Sequence, residues 1–152
     1  MVNKPVLFCH DGSEGSRTAL AAAVELIKPA DAVVLVVWTP AAVQLARGGS
    51  FVVAVPNEGD IDEQEAAAAR EIAEEGAARA RKRGYNASAR VAQANESVAK
   101  AIDEIAEEID AGLVVCGQRG RGAIRSALLG SVSHALAAHT KRPVLIAPQR
   151  PS

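Results

Sequence analysis

Four short runs of apolar residues punctuate this chain: Pro5–Cys9 (PVLFC), Ala32–Trp38 (AVVLVVW), Leu113–Cys116 (LVVC) and Pro143–Ala147 (PVLIA). Each is dominated by Val, Leu and Ile and lacks polar alternation. Runs of this length without alternation predict strands buried on both faces. A fifth run, Asn86–Ala92 (NASARVA), is more polar and predicts a strand nearer a sheet edge.

Helical patterns fill the intervals. Ser16–Lys28 sets Leu20, Val24 and Ile27 on one face. Ile61–Arg83 is built of Ala, Glu, Arg and Lys, all good helix formers, with basic residues gathered at its end, where they suit the helix dipole. Gly84 is a plausible stop. Asn95 is a candidate cap for the next helix, where Val98, Ile102, Ile105, Ala106 and Ile109 form an apolar stripe. A last helix is expected from about Ser131 to just before Arg142-Pro143. The order β-α-β-(loop)-α-β-α-β-α-β implies an α/β three-layer sandwich, a five-stranded parallel sheet with right-handed crossovers and helices on both faces. The whole chain, 1–152, reads as a single domain. The connection Pro40–Asp60 is long for such a fold, and suits either a pocket cover, a partner contact or a plain insertion.

Composition narrows the picture. Of 152 residues, 49% are hydrophobic and 23% charged, which excludes a disordered chain. Only 3% are aromatic, so the core must be Ala, Val, Leu and Ile. A net charge of -1 provides no global attraction for nucleic acid or an anionic membrane. No apolar run reaches membrane-spanning length, and the N-terminal residues enter a strand at once instead of forming a secretory leader. A cytoplasmic location is the expectation. Cys9 and Cys116 each end an apolar run, which suits buried free thiols in a reducing compartment.

The candidate chemistry lies after the run LVVC, in GQRGRGAIRSALLGSVS (Gly117–Ser133). In open α/β sheets, ligands bind beyond the carboxyl ends of the strands, and this stretch starts there. Glycine lets backbone approach a ligand closely. Gly130-Ser131 stands at a predicted helix start, where free N–H groups and the helix dipole favour anions. Ser131 and Ser133 offer hydroxyls, while Arg119, Arg121 and Arg125 offer positive charge. These are the parts of a polyphosphate site. There is no GxxxxGK[ST], so no P-loop lysine, and the first βα turn, HDGSEGS, is not GxGxxG.

Gly117, Gly120, Gly130 and Ser131 fit the pattern G-x2-G-x9-G-[ST] without a gap. With Asp11-Gly12-Ser13 after the first strand, GSVSHALA and the closing PVLIAP, the sequence resembles the universal stress protein family over essentially its whole length. The resemblance implies a flavodoxin-like or Rossmann-like fold, and membership of the subgroup that keeps the glycine motif and binds ATP. It implies that Cys9 and Asp11 contact the adenine or ribose side and that Val37 and Trp38 line the adenine pocket. Gly117, Arg119 and Gly120 would then run close to ribose and phosphates, and Gly130, Ser131, Val132 and Ser133 would bind phosphate. Where the family often has a small residue and an aliphatic one, this chain has Cys9 and Trp38.

Several readings stay open. Asp11 can serve a nucleotide, help a magnesium ion through water, or simply fix the Asp-Gly turn. Trp38 can stack on a base or pack in the core or a dimer. His10, beside Asp11, has no converging nucleophile in view. His134 and His139 read as surface or packing residues. Cys9 and Cys116 would be neighbours if the first and fourth strands adjoin, which allows a redox pair. The leading expectation is an adenine-nucleotide sensor or regulator of the stress response, with ATP as ligand, cyclic AMP as the alternative, and at most slow hydrolysis or autophosphorylation. A second expectation is a homodimeric scaffold joined through Pro143–Ala147, since an apolar edge strand calls for cover.

Overall fold

The computed structural model describes residues 3–46, 58–120 and 129–149. The strands are β1 (Val6–Cys9), β2 (Asp31–Trp38), β3 (Asn86–Gln93), β4 (Leu113–Gly117) and β5 (Val144–Ala147). The helices are α1 (Glu14–Leu26), α2 (Ala41–Ala46), α3 (Glu58–Arg81), α4 (Val98–Glu108) and α5 (Ser131–His139). All strand pairs are parallel and the sheet order is β3-β2-β1-β4-β5. The polar run Asn86–Ala92 therefore does form an edge strand, and PVLIA forms the other. The order reverses at β1, so β1 and β4 flank the switch point at which such sheets take ligands.

Alternate residues of each strand feed two cores. On one face Val6, Phe8, Val34 and Val115 pack against Leu20 and Ala23 of α1 and Ala77 and Ala80 of α3. On the other, Leu7, Leu35, Val114 and Cys116 pack against Ile102, Ile105 and Ala106 of α4 and Leu136 of α5. Helices thus cover both faces of the sheet. The scarcity of aromatics has a consequence on α3, whose buried side is Ala69, Ala73, Gly76, Ala77 and Ala80. So small a surface brings the helix close to the sheet. A Cβ on Gly76 would stand 2.8 Å from Cγ1 of Val34.

Local chemistry moves some boundaries from those the sequence pattern suggests. The first helix begins earlier than Ser16, because Ser13 caps it and accepts the Ser16 N–H at 3.2 Å. Asn95 is not the cap of α4. Ser97 is, with its hydroxyl accepting Lys100 N–H at 3.1 Å, while the Asn95 side chain accepts from Gln93. Gly84 ends α3 in the left-handed region, with φ of 88°. The connection Pro40–Asp60 contains α2 and the start of α3. Ala41 N–H donates to the Asp62 carboxylate at 3.0 Å, tying one to the other.

Candidate functional site

The carboxyl ends of β1 and β4 bring together three segments distant in sequence. The first is the β1–α1 turn. His10 N–H still donates to the Leu35 carbonyl at 2.9 Å, prolonging the sheet by one residue. Asp11 then folds its Oδ1 over the turn to accept Ser13 N–H at 2.9 Å, and Gly12 takes a φ of 77° to let the chain reverse into α1.

The second segment leaves β4. Gly117 is the last residue of that strand, in register with Ala147, rather than the first residue beyond it. It lies against the start of α1. A Cβ on Gly117 would come within 2.8 Å of the Gly15 carbonyl oxygen, and a Cβ on Gly15 would collide with the Arg119 carbonyl. The two backbones touch because neither residue has a side chain. At Gly120 a Cβ would lie 2.6 Å from Oδ2 of Asp11, which places the aspartate carboxylate directly over the glycine loop. Arg119 is half-buried, and its Nε has no hydrogen-bond partner among the described residues.

The third segment is the start of α5. Gly130 caps it with an extended backbone and no side-chain hydrogen bond. Its N–H donates to the Gln118 carbonyl at 2.8 Å, which fixes the helix start against the glycine loop. The first intrahelical bond runs from His134 N–H to the Gly130 carbonyl. Ser131, Val132 and Ser133 precede it, so their N–H groups have no partner within the helix and emerge at its positive end.

Most of the expected site residues meet here: Cys9, Asp11, Gly117, Arg119, Gly120, Gly130, Ser131, Val132 and Ser133. Their parts differ. The exposed Ser131 hydroxyl is free to meet a ligand, whereas Ser133 is buried and its hydroxyl donates to the Gln118 carbonyl at 2.8 Å. Ser133 fastens the loop, and only its N–H faces the helix start. Val132 packs with Cys9 and Cys116 on the α4–α5 face. Val37 lies on that face too, but Trp38 lies on the other, against Ile72, Ala69 and Val91. Trp38 also borders an open groove of about 540 Å³ with Asp62, Glu63, Ala66, Ala67 and Arg70 of α3. Arg121, Arg125, Gly122, Ile124 and Leu128 lie outside the described residues.

Two residues escaped sequence reading. Gly15 is a packing partner of the loop, visible in HDGSEGS only as another glycine. Gln118 is the hub that Gly130, Ser133 and Gln149 all bond. Nothing in the pattern G-x2-G marks it, because its main-chain carbonyl does much of the work. His10 points away from this site, toward α3. It is buried, and its ring nitrogens have no hydrogen-bond partner among the described residues. Burial lowers its pKa, against the opposing influence of Asp11 and Glu75. Its ring packs against Gly76 in the core beneath α3.

A parallel sheet covered on both faces, with glycines meeting a helix start at its switch point, defines a flavodoxin-like α/β protein. Residues 3–148 match the model of the universal stress protein family, and the chain belongs to that family. A stretch of 39 residues is 51% identical to a universal stress protein of Mycobacterium tuberculosis, which covers 26% of this chain and 12% of that relative. The chain thus matches only about an eighth of the curated relative's length. Among solved structures, the universal stress protein UspA of Lactobacillus plantarum superposes with a TM-score of 0.76 at 18% identity, over 95% of this chain and 97% of that one. A universal stress protein in complex with cAMP gives 0.63 at 24% identity, with 95% of both chains covered. One from Archaeoglobus fulgidus in complex with dAMP gives 0.59 at 21% identity, over 96% and 98%.

Proposed function

We propose that this protein binds an adenine nucleotide, ATP in the first place, at the carboxyl ends of β1 and β4, and acts as a nucleotide-dependent regulator rather than a fast enzyme. The observation that carries the reading is the start of α5. Three successive N–H groups stand without intrahelical partners, fixed against the glycine loop by Gly130 and Ser133, with Asp11 across the gap. A helix start of this kind takes phosphate through backbone N–H groups and the dipole. Complexes of family members with cAMP and dAMP support an adenine nucleotide as the ligand class. The intact G-x2-G-x9-G-[ST] pattern supports ATP.

In this reading the phosphates lie on Ser131–Ser133, the ribose lies over Gly117–Gly120 with Asp11 beside it, and Val37 borders the base. Magnesium fits the donor set only as a passenger on the phosphates. Among the described residues no group of three or more His, Cys, Asp or Glu side chains could hold a metal, whereas one carboxylate such as Asp11 plus phosphate oxygens is a common magnesium arrangement. Pairing of two copies along the edge strand β5 and a cytoplasmic setting complete the proposal.

Equilibrium dialysis of labelled ATP and cAMP against the purified protein tests it. Saturable ATP binding, weakened at least about tenfold in Gly120→Ala, is the expected result, since a Cβ there displaces the Asp11 carboxylate. Absence of binding at millimolar nucleotide overturns the proposal. Preference for cAMP over ATP overturns the choice of ATP while keeping the site.

A further inference from the structure

The groove beside Trp38 stands apart from the nucleotide site. Trp38 ends β2 but packs on the α3 side of the sheet, while its neighbour Val37 packs on the α4–α5 side. An indole is a large apolar surface, and this one is only partly covered. Next to it runs α2, with the sequence AAVQLA and no buried residue. A helix apolar all round is ordinarily buried. This one is held against α3 by the bond from Ala41 N–H to Asp62, and Asp62 itself lines the groove. Apolar surface is thus left uncovered on both sides of the same stretch of α3.

That stretch has a particular order of charge. Asp62, Ala66 and Arg70 line the groove at intervals of four residues, which sets them along one face of α3. Glu63 and Ala67 run beside them. Carboxylates therefore stand at one end, a guanidinium at the other about 12 Å along the helix, and two small residues between. Arg17, Arg79, Arg81, Arg83, Arg90 and Arg142 are each paired with a carboxylate. Among the described residues Arg70, which is exposed, has no such partner. A groove with opposite charges at its two ends fits an occupant with the reverse order. Its own helix, turned end for end, has that order. A two-fold axis at Ala66 sets Asp62 opposite Arg70 of a second copy, and the reverse.

We infer that the Trp38 groove is a self-docking surface, in which α3 of one copy lies antiparallel to α3 of a second copy. The alanines at the crossing point let the two helices approach to about 8 Å, the close end of helix packing. Trp38 of each copy closes the seam, and the two ion pairs at its ends set the direction. The surface lies over β2 and β3, at the other side of the sheet from β5. It is therefore separate from any pairing along β5, and two such two-fold contacts together close a set of four chains. The inference needs no nucleotide and stands independently of the proposal above.

Sedimentation velocity over a range of protein concentrations tests it, with acrylamide quenching of fluorescence read on the same samples. Trp38 is the only tryptophan in the sequence, so the quenching reports on this groove. As concentration rises, mass should increase and quenching of Trp38 should fall together. Arg70→Glu sets like charges face to face at both ends and should weaken association at least about tenfold. Glu63→Lys should weaken it as well. Mixing the two variants brings opposite charges together again and should restore both the heavier species and the protection of Trp38, which no misfolded variant would do. A chain that stays single at every concentration overturns the assignment. So does an assembly that survives Arg70→Glu with Trp38 quenched as in the dilute protein. That second result leaves pairing along β5 untouched, so the two contacts fail separately.

Discussion

The two ends of the central strands are finished in different ways. At the amino end of β1 and β4, polar groups are spent on one another. Asp110 accepts from Lys4 and Arg142, each at 3.0 Å, which holds its carboxyl below the usual range. Arg142 also donates to the Ala111 carbonyl, and Gly112 N–H to that of Pro5 at 2.9 Å. At the carboxyl end, two glycines, Gly15 and Gly117, press backbone against backbone, a helix starts without a side-chain cap, and two thiols form no disulfide. Among the described residues, the same strands therefore end in charge pairs on one side and, on the other, beside a helix start whose first N–H groups have no intrahelical partner. Uncommitted donors at a fixed position are what a ligand requires.

That contrast can be broken by design. The largest effect should come from Gly15→Ala or Gly117→Ala, since each Cβ runs into backbone of the opposite segment, which cannot swing aside. A loss of about 3 kcal/mol in denaturant unfolding is expected. Gly59→Ala is the matching control. A Cβ there meets nothing within 4 Å, and the exchange should leave stability unchanged or raise it by up to about 1 kcal/mol. Equal losses in all three variants would show that the carboxyl end is not specially close-packed.

A smaller effect should appear in alkali. The unfolded chain ionises a thiol near 9.0, whereas burial pushes that of Cys116 up to about 11. The folded state therefore keeps the proton longer, and stability falls as pH rises through that window. The loss attributable to Cys116 should be on the order of 2 kcal/mol by pH 11, read as the difference from Cys116→Ala over the same range. Parallel curves for the two proteins would contradict it. Next comes Ser133→Ala, which removes the hydroxyl that bonds Gln118. It should cost about 1 kcal/mol in stability and loosen nucleotide binding by releasing the loop. The smallest effect belongs to the amino end. Asp110 is exposed, with a positive φ of 50° that asparagine also tolerates. Asp110→Asn should change stability little, with any difference erased by salt and nucleotide affinity untouched.

The two ends also differ in how legible they were. The sheet could be read from the four apolar runs, because strands buried on both faces leave no room for polar residues. The edge position of β3 followed from Ser88 and Arg90 among its alanines. The direction of the site followed from Gly117 coming after LVVC. What escaped reading depended on three-dimensional choice. Asn95 and Ser97 are both good caps by type, and only the path of the chain selects Ser97. Ser133 and Ser131 look equivalent in GSVS, yet the helix turns one inward and leaves the other exposed. Val37 and Trp38 adjoin in sequence, but strand alternation sends them to opposite faces. The role of Gln118 rests mainly on its carbonyl, which any residue possesses.

The central claim is that the carboxyl end is the ligand end and that backbone N–H groups do the binding. Amide chemical shifts of the labelled protein, followed during titration with ATP, test it most directly. The account predicts progressive, saturable shifts at Asp11, Gly117–Gly120 and Ser131–Ser133, with Lys4, Asp110 and Gly112 unmoved. Shifts centred on the amino end, or none at millimolar ATP, would contradict it.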